Sequence, residues 1–573
     1  MKFIRRRIPS RGLPLPGHAG IFTFCAGVSM RRITQCIGLS LSLLSAPHAL
    51  AQTPPDAGAL QQQIERERAL QLPQRIAPEK PAKPPEMQAV PGVTITVTRF
   101  RFEGNTLLSD AQLQPAVAEY LNRPLDFNQL QAAAVAVASL YREAGWVVRA
   151  YLPEQEIDGG VVTIQIVEAV FGGTHIEGEA KRVGPELIRR RVEAQQREGE
   201  PLNLDRLDRA LLLANDLPGV AVTGGLRSGA SEGETDLALV VADDPLIGGD
   251  VMVDNTGSRS TGSTRVAANL HRASPFGLGE GFSAGVIHAE GNDYARLAFS
   301  LPVGAHGLRV GANVSQLRYK LVGSDFSALG AQGDSRSAGL ESSYPIVRSR
   351  LRNLYLTLNA DHRAFDNEFS GATTTRYTVD SYSLGLIGNL FDNIGGGGAN
   401  SASLTAVSGR RESRIGTTDQ HFTKLRYSLS RQQVITEDLS LLAALAGQGA
   451  SKDLDSSERF YLGGAYGVRA YPTNEGGGSS AHLANLELRW RLPDGFVLSG
   501  FYDHGRVRNR DGSPSYSLKG AGAALAWQAS FGLNLKATWA RRIGDNPNPT
   551  PTGKDQDGSL IKNRWWLTAS LPF

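Results

Sequence analysis

The chain alternates from residue 247 to its end. Leu354, Leu356, Leu358 and Ala360 interleave with Asn353, Tyr355, Thr357 and Asn359. Ala484, Leu486, Leu488, Trp490 and Leu492 interleave with Asn485, Glu487, Arg489 and Arg491, and Ala295, Leu297, Phe299 and Leu301 flank Arg296 and Ser300. A period of two sends successive side chains to opposite faces of a strand. Segments of about ten residues recur, separated by Gly, Asn, Asp and Ser turns. A soluble sandwich also alternates, but here the polar face carries charges and the run is too long for one sandwich. An apolar face toward lipid and a polar face toward water is what a membrane barrel needs, and within lipid such a sheet must close. The spacing predicts an antiparallel transmembrane β-barrel of about 16 strands over residues 246–573, starting near 247, 263, 280, 293, 307, 333, 352, 376, 399, 419, 437, 481, 495, 517, 531 and 563. The count is even, as bacterial barrels require. Trp539, Trp565 and Trp566 are expected in interfacial girdles.

Upstream the period changes. Residues 57–72 hold strong helix formers with few apolar side chains, Leu60, Ile64, Leu70 and Leu72, so this helix has little core to join. Residues 73–92 carry Pro73, Pro78, Pro81, Pro84, Pro85 and Pro91 and read as a stiff extended linker. Residues 93–171 read as strand, helix, helix, strand, strand. Val93, Ile95, Val97 and Arg99 share one side of the first strand, Ser109 and Gln112 form a capping box, and Gly145 ends the second helix. Residues 172–245 repeat that order. Phe102-Glu103-Gly104-Asn105 matches Ile176-Glu177-Gly178-Glu179, Arg123-Pro124-Leu125-Asp126 matches Glu200-Pro201-Leu202-Asn203, and Thr163–Val167 matches Asp236–Val240. A tandem βααββ unit has an exposed sheet edge that can take up an extended peptide by strand addition.

The N-terminus reads as an address. Arg31 and Arg32 precede the apolar run Ile33–Leu44, and Ala49-Leu50-Ala51 is a small-x-small cleavage pattern, so residues 1–51 are expected to be a signal peptide, with Met30 a possible start. Both cysteines, Cys25 and Cys36, lie there, leaving no thiol for a disulfide, a nucleophile or a metal in the remainder. The formal charge of +4 also comes from this segment; without it 53 basic residues face 56 acidic ones. Nucleic acid is therefore not an expected partner.

One connection carries candidate chemistry. Residues 450–480 form a long Gly-rich loop containing Val468-Arg469-Ala470-Tyr471, and the following hairpin contains Phe501-Tyr502-Asp503-His504-Gly505. If Leu498 and Tyr502 face lipid, Asp503 faces the lumen, where a loop folded inward would bring Arg469 to it in a partly desolvated, forked contact; the alternative is an extracellular surface loop with a solvated Arg469. These parts together resemble the two-partner secretion transporters, the haemolysin and filamentous-haemagglutinin secretion/activation (TpsB) members of the POTRA–barrel superfamily. Val468-Arg469-Ala470-Tyr471 is similar to the family's VRG(Y/F) loop tip, with Ala470 in place of Gly, and Phe501, Asp503 and Gly505 to its FxDxG strand motif. The final Phe573 resembles the recognition signal of outer-membrane barrels. The resemblance implies two periplasmic POTRA-like modules, a pore-plugging role for the helix before the linker, and a secreted partner, a TpsA-like haemolysin or adhesin. Outer-membrane lipid is the expected surroundings and a monomer the expected state.

Rival readings are weaker. Gly281-Phe282-Ser283-Ala284-Gly285 matches a GxSxG elbow, but it lies in a period-two segment with no helix after it. His175, His271, His288, His362, His421, His482 and His504 are scattered over unrelated segments. No catalytic residue, metal site or cofactor is expected. A barrel-assembly factor of the same superfamily, or a passive porin or surface receptor, are the alternatives; the first usually has more modules, and the second needs none.

Overall fold

The computed structural model describes residues 55–69, 94–178, 181–323, 326–508 and 514–573. The signal segment, the Pro-rich linker and the helix residues Leu70 and Leu72 lie outside them.

The first element is α1 (Ala57–Ala69). The first module follows: β1 (Arg99–Glu103), α2 (Asp110–Val117), α3 (Phe127–Glu143), β2 (Val148–Tyr151) and β3 (Val161–Glu168). Its sheet has the order β1-β3-β2, with β1 and β3 parallel. The second module repeats this with β4 (Val170–Glu177), α4 (Pro185–Glu193), α5 (Leu204–Asn215), β5 (Val220–Ser228) and β6 (Glu234–Asp243), in the order β4-β6-β5. The sequence repeat has a backbone cause. Asp126 and Asn203 both cap a second helix, accepting from Gln129 N (2.8 Å) and Arg206 N (3.1 Å), and Gly104 and Gly178 both turn with positive φ just after the first strand.

The first strand departs from expectation. Val97 is buried, but so are Phe100 and Phe102, while Arg99 is exposed. The alternation slips where Thr98 leaves the strand to bond Gly160 O through its N–H (2.8 Å) and Gly159 O through its hydroxyl (2.8 Å). Past that break the opposite parity faces the core. Glu168 closes the module. Burial pushes its carboxyl up, but donors from Thr106, Leu107 and Tyr141 outweigh burial and hold it below the ordinary carboxylate range.

The rest is a closed barrel: β7 (Ile247–Asp254), β8 (Arg265–Ala273), β9 (Gly281–Ala289), β10 (Asn292–Val303), β11 (Leu308–Lys320), β12 (Gln332–Arg348), β13 (Arg352–Phe369), β14 (Ala372–Asp392), β15 (Gly398–Ile415), β16 (Gln420–Val434), β17 (Leu439–Ala450), β18 (Ser480–Arg491), β19 (Phe496–Arg508), β20 (Tyr516–Gln528), β21 (Asn534–Arg542) and β22 (Asn563–Pro572). Neighbours in sequence pair antiparallel, and β22 closes on β7 through five residue pairs, Thr568↔Asp254 to Pro572↔Asp250. The largest error in a predicted start is at β14, which begins at Ala372 rather than 376. Leu486, Leu488 and Trp490 point outward, while Glu487 between them is buried inside.

The second module packs on the periplasmic turns. Arg348 donates twice to Asp216 (2.9 and 2.7 Å) and Arg350 to Asp208 (2.7 Å). No helix among the described residues is long and apolar enough to cross a membrane; the barrel crosses with strands.

Candidate functional site

The lumen holds two inserted pieces, the segment between β17 and β18 and the helix α1. The segment folds inward and makes its own short ladder, Phe460–Tyr461 against Gly477–Gly478. Leu462, Val468, Ala470 and Tyr471 are buried there with Phe501, Val507 and Leu518 of the wall. This apolar packing fixes the loop tip and presents Arg469 sideways to β18 and β19.

Leu498 and Tyr502 are exposed on the outer wall, so period two turns Asp503 inward, where it is fully buried. Its carboxylate accepts from Arg469 Nε (3.0 Å), Arg469 Nη2 (2.8 Å), the Arg469 backbone N–H (3.0 Å) and Asn485 Nδ2 (2.8 Å). The fork and the peptide N–H together fix both the side chain and the backbone of the tip. Arg469 Cζ lies 3.3 Å from the centroid of the Phe501 ring, a cation–π contact. Gly505 completes the motif by close approach: a Cβ there would stand 2.9 Å from Leu462 and 3.0 Å from Val468. Ala470 does not need the positive φ that glycine would allow. Its methyl packs on Gly520, where a second Cβ would come within 2.6 Å.

Two partners escape the sequence reading. Arg469 Nη1 donates to Glu487 Oε2 (2.7 Å), whose other oxygen accepts from Arg489 Nε (2.8 Å). Two guanidinium groups therefore face two carboxylates, and the group is neutral as a whole. Trp566 Nε1 donates to the Arg469 carbonyl (2.8 Å), so this tryptophan lines the lumen and is not in a girdle. Its register neighbour explains the correction: Trp565 pairs with Trp539 on the outer face, and the next residue must point in.

The helix α1 also has more core than its composition suggested. Ala57, Leu60 and Ile64 form a strip at helical spacing that buries against Leu317, Tyr319, Phe365, Tyr377 and Phe422 of the inner wall. Asp56 caps the helix at Ala59 N (2.9 Å) and accepts from Ser456 Oγ (2.7 Å) on the loop. Gly58 lets the two pieces touch, since a Cβ there would lie 2.8 Å from Ser457 Cβ and 2.9 Å from its backbone nitrogen. At the other end Arg66 lies over the Phe460 ring (4.2 Å) and bonds the Tyr461 carbonyl, and Glu67 accepts from Arg265 Nη1 (3.0 Å). Beneath the helix Glu458 is bound by Arg363 and Lys424.

Ser283 lies within β9, opposite His271 and Ala298, with strand on both sides of it.

A family model for the haemolysin secretion/activation proteins ShlB/FhaC/HecB matches residues 233–528, and one for the ShlB-type POTRA domain matches residues 95–169. The heme/hemopexin transporter protein HuxB of Haemophilus influenzae (strain 86-028NP) is 24% identical over 94% of this chain and 98% of its own length. The outer membrane transporter CdiB of Dickeya dadantii (strain 3937) is 26% identical over 79% of this chain and 82% of its own. Among solved structures, CdiB from Escherichia coli matches with a TM-score of 0.68 at 22% identity, covering 91% of this chain and 100% of that one, a likeness of fold. The chain belongs to the haemolysin secretion/activation protein family, the outer-membrane barrel transporters of two-partner secretion with periplasmic POTRA domains.

Proposed function

We propose that an unfolded secreted partner of the haemolysin or adhesin kind reaches the periplasmic modules, adds a strand to a sheet edge, and passes through the lumen as α1 leaves it. The outermost strands of the two sheets are β1 and β2 in the first and β4 and β5 in the second, with β4 already bonded at Phe171 to Gly199 and Glu200. The outer part of β5, from Thr223 to Ser228, is exposed. The inward loop stays in place, held at Arg469 by Asp503 and Glu487, and gives the passing chain a fixed wall. Folding of the partner outside the cell supplies the free energy without nucleotide. Ser283 has no hydrolytic part in this scheme.

The observation that carries the reading is the helix itself. It fills the lumen on a strip of three small or aliphatic side chains, with a few polar contacts to wall and loop along its length and no covalent continuity with either, so it occupies the pore without being woven into the barrel. A disulfide between Gly58→Cys and Ser457→Cys tests this, since a small shift brings their Cβ atoms to the roughly 3.8 Å that a bridge prefers. The oxidised double variant is expected to secrete nothing and to recover with reductant, while each single variant secretes in both conditions. Secretion that ignores the redox state would show that the helix need not move.

A further inference from the structure

We infer that a phospholipid of the periplasmic leaflet binds in a groove on the outer wall of the barrel, its phosphate on Arg272 and one acyl chain along β9 to β11. The groove encloses about 620 Å³. Its floor is made by Ala284 and Ala312, and its sides by Leu270, Phe282, Leu297 and Phe299. All six have the outward parity of their strands, and small residues between large ones leave a channel that a hydrocarbon chain fits.

Arg272 stands at the end of this groove. It has the same parity as Val266 and Leu270, both exposed, and pairs with Ile247 on one side and Phe282 on the other. A guanidinium is therefore placed on the lipid-facing wall among apolar neighbours. It makes no ion pair or hydrogen bond with the described residues. At the end of its strand it stands at headgroup depth, where a phosphate offers the planar, forked acceptor that Arg matches best.

The adjoining turn is built for the same purpose. Phe276 is 72% exposed and Leu278 57% exposed. Glu280, fully buried, accepts from the backbone N–H groups of both, the second at 2.8 Å. A buried carboxylate here fixes two apolar side chains that point away from the protein. Ser274 adopts φ 42° and donates from its hydroxyl to the Pro218 carbonyl of the second module. Phe276 meets Phe282 edge-on at 6.2 Å, and Phe282 meets Phe299 at 4.7 Å, so an aromatic ladder leads from the turn into the groove. The same turn seats the second module: Gly184 N donates to Gly277 O (3.4 Å), and Leu217 covers Gly279. A lipid bound here touches the joint between that module and the barrel.

Native mass spectrometry of the full-length protein in detergent tests the site, with dioleoylphosphatidylglycerol and dioleoylglycerol titrated separately. One phospholipid is expected to bind the wild type stoichiometrically. Arg272→Ala should weaken that binding by about tenfold and Arg272→Lys by less, because a point charge keeps attraction and loses the fork. Ala284→Phe keeps the cation and fills the groove, and should weaken binding to a similar degree. Dioleoylglycerol, which lacks the phosphate, should bind wild type no better than the phospholipid binds Arg272→Ala. Heat-modifiable mobility identifies folded barrel in each sample, and Ala312→Leu, which also fills the groove and keeps the cation, stands in if Ala284→Phe does not insert. The proposal is overturned by a wild type with no stoichiometric phospholipid, by equal affinity in wild type and Arg272→Ala, or by dioleoylglycerol binding as tightly as the phospholipid.

Discussion

The lumen contains two inserts of opposite character. The loop is continuous with the wall at both ends, and its tip is tied by a forked, fully buried guanidinium–carboxylate contact with a second carboxylate behind it. The helix enters from outside the barrel sequence and rests on a narrow apolar strip, with hydrogen bonds between Asp56 or Arg66 and the loop, hydrogen bonds of Ala57 and Gln61 with Asn367 and Ser335 of the wall, and an ion pair from Glu67 to Arg265. Removing one member of a buried pair costs about 3–5 kcal/mol, because the other charge is left without compensation. The helix has one largely buried pair, Glu67 with Arg265, and Asp254 still compensates Arg265 when Glu67 is removed. The difference is what the proposed function requires, one insert that stays and one that leaves.

The most severe way to break that contrast is to loosen the permanent insert. Arg469→Ala and Asp503→Ala should each lower secretion by at least about tenfold while the barrel still inserts, given the cost of stranding a buried partner. Arg469→Lys should rescue poorly, having no fork. The double variant should be little worse than either single one, since the residues act as a unit. Exoprotein in the medium, normalised to heat-modifiable barrel, checks all four variants. Additive losses would separate the two residues.

Loosening the removable insert should do the reverse. Deleting residues 57–69 should raise single-channel conductance several-fold in planar bilayers, with a much smaller fall in secretion. Gly58→Val should reach part of that conductance without a deletion, because its side chain collides with Ser457. Glu67→Gln should have a lesser effect still, more frequent brief openings, since it weakens the ion pair to Arg265 and leaves the apolar strip in place. Conductance unchanged in all three would remove the contrast.

A carboxylate outside the barrel provides a control. Glu168 is held below its ordinary range in the folded first module, so its contribution is present above the unfolded value of about 4.3 and is lost as pH falls through the folded one. Amide exchange in the first module should therefore quicken below that range in the wild type, and Glu168→Gln should flatten the dependence without altering conductance. At the bottom of the scale, Ser283→Ala should change neither secretion nor hydrolysis of ester or peptide substrates.

Much of this was readable in the chain, and the reasons differ by region. Strand starts were legible because lipid and water impose opposite demands on alternate residues, and β7 to β22 obey them. The contact of Arg469 with Asp503 was legible because parity at Leu498 and Tyr502 fixed which way Asp503 points. Glu487 was not singled out, since Asn485, Glu487 and Arg489 all share its inward parity and nothing local ranks them; its register partner Phe501, beside Asp503, was the available signal. Trp566 was misplaced because its indole was assigned by residue type, whereas its parity is opposite to that of Trp565. The helix was under-read because three small apolar residues look insufficient until a wall of Tyr and Phe is set opposite them. The first-strand slip at Thr98 depends on a partner about sixty residues away, which alternation alone does not record.

The charges on α1 have a consequence for what flows through the pore. The helix brings Asp56, Glu65 and Glu67 into the lumen against Arg66 and Arg68, and Glu67 answers Arg265 of the wall. If the helix leaves as proposed, Arg265, Arg363, Lys424 and Arg426 remain, with Asp254, Asp361 and Glu458 among the carboxylates beside them. The unplugged channel is therefore expected to favour anions, and its reversal potential in a salt gradient should shift in that direction. An acidic stretch of a passing chain would be drawn toward this ring, so the charges that set ionic selectivity would also act on the chain that enters.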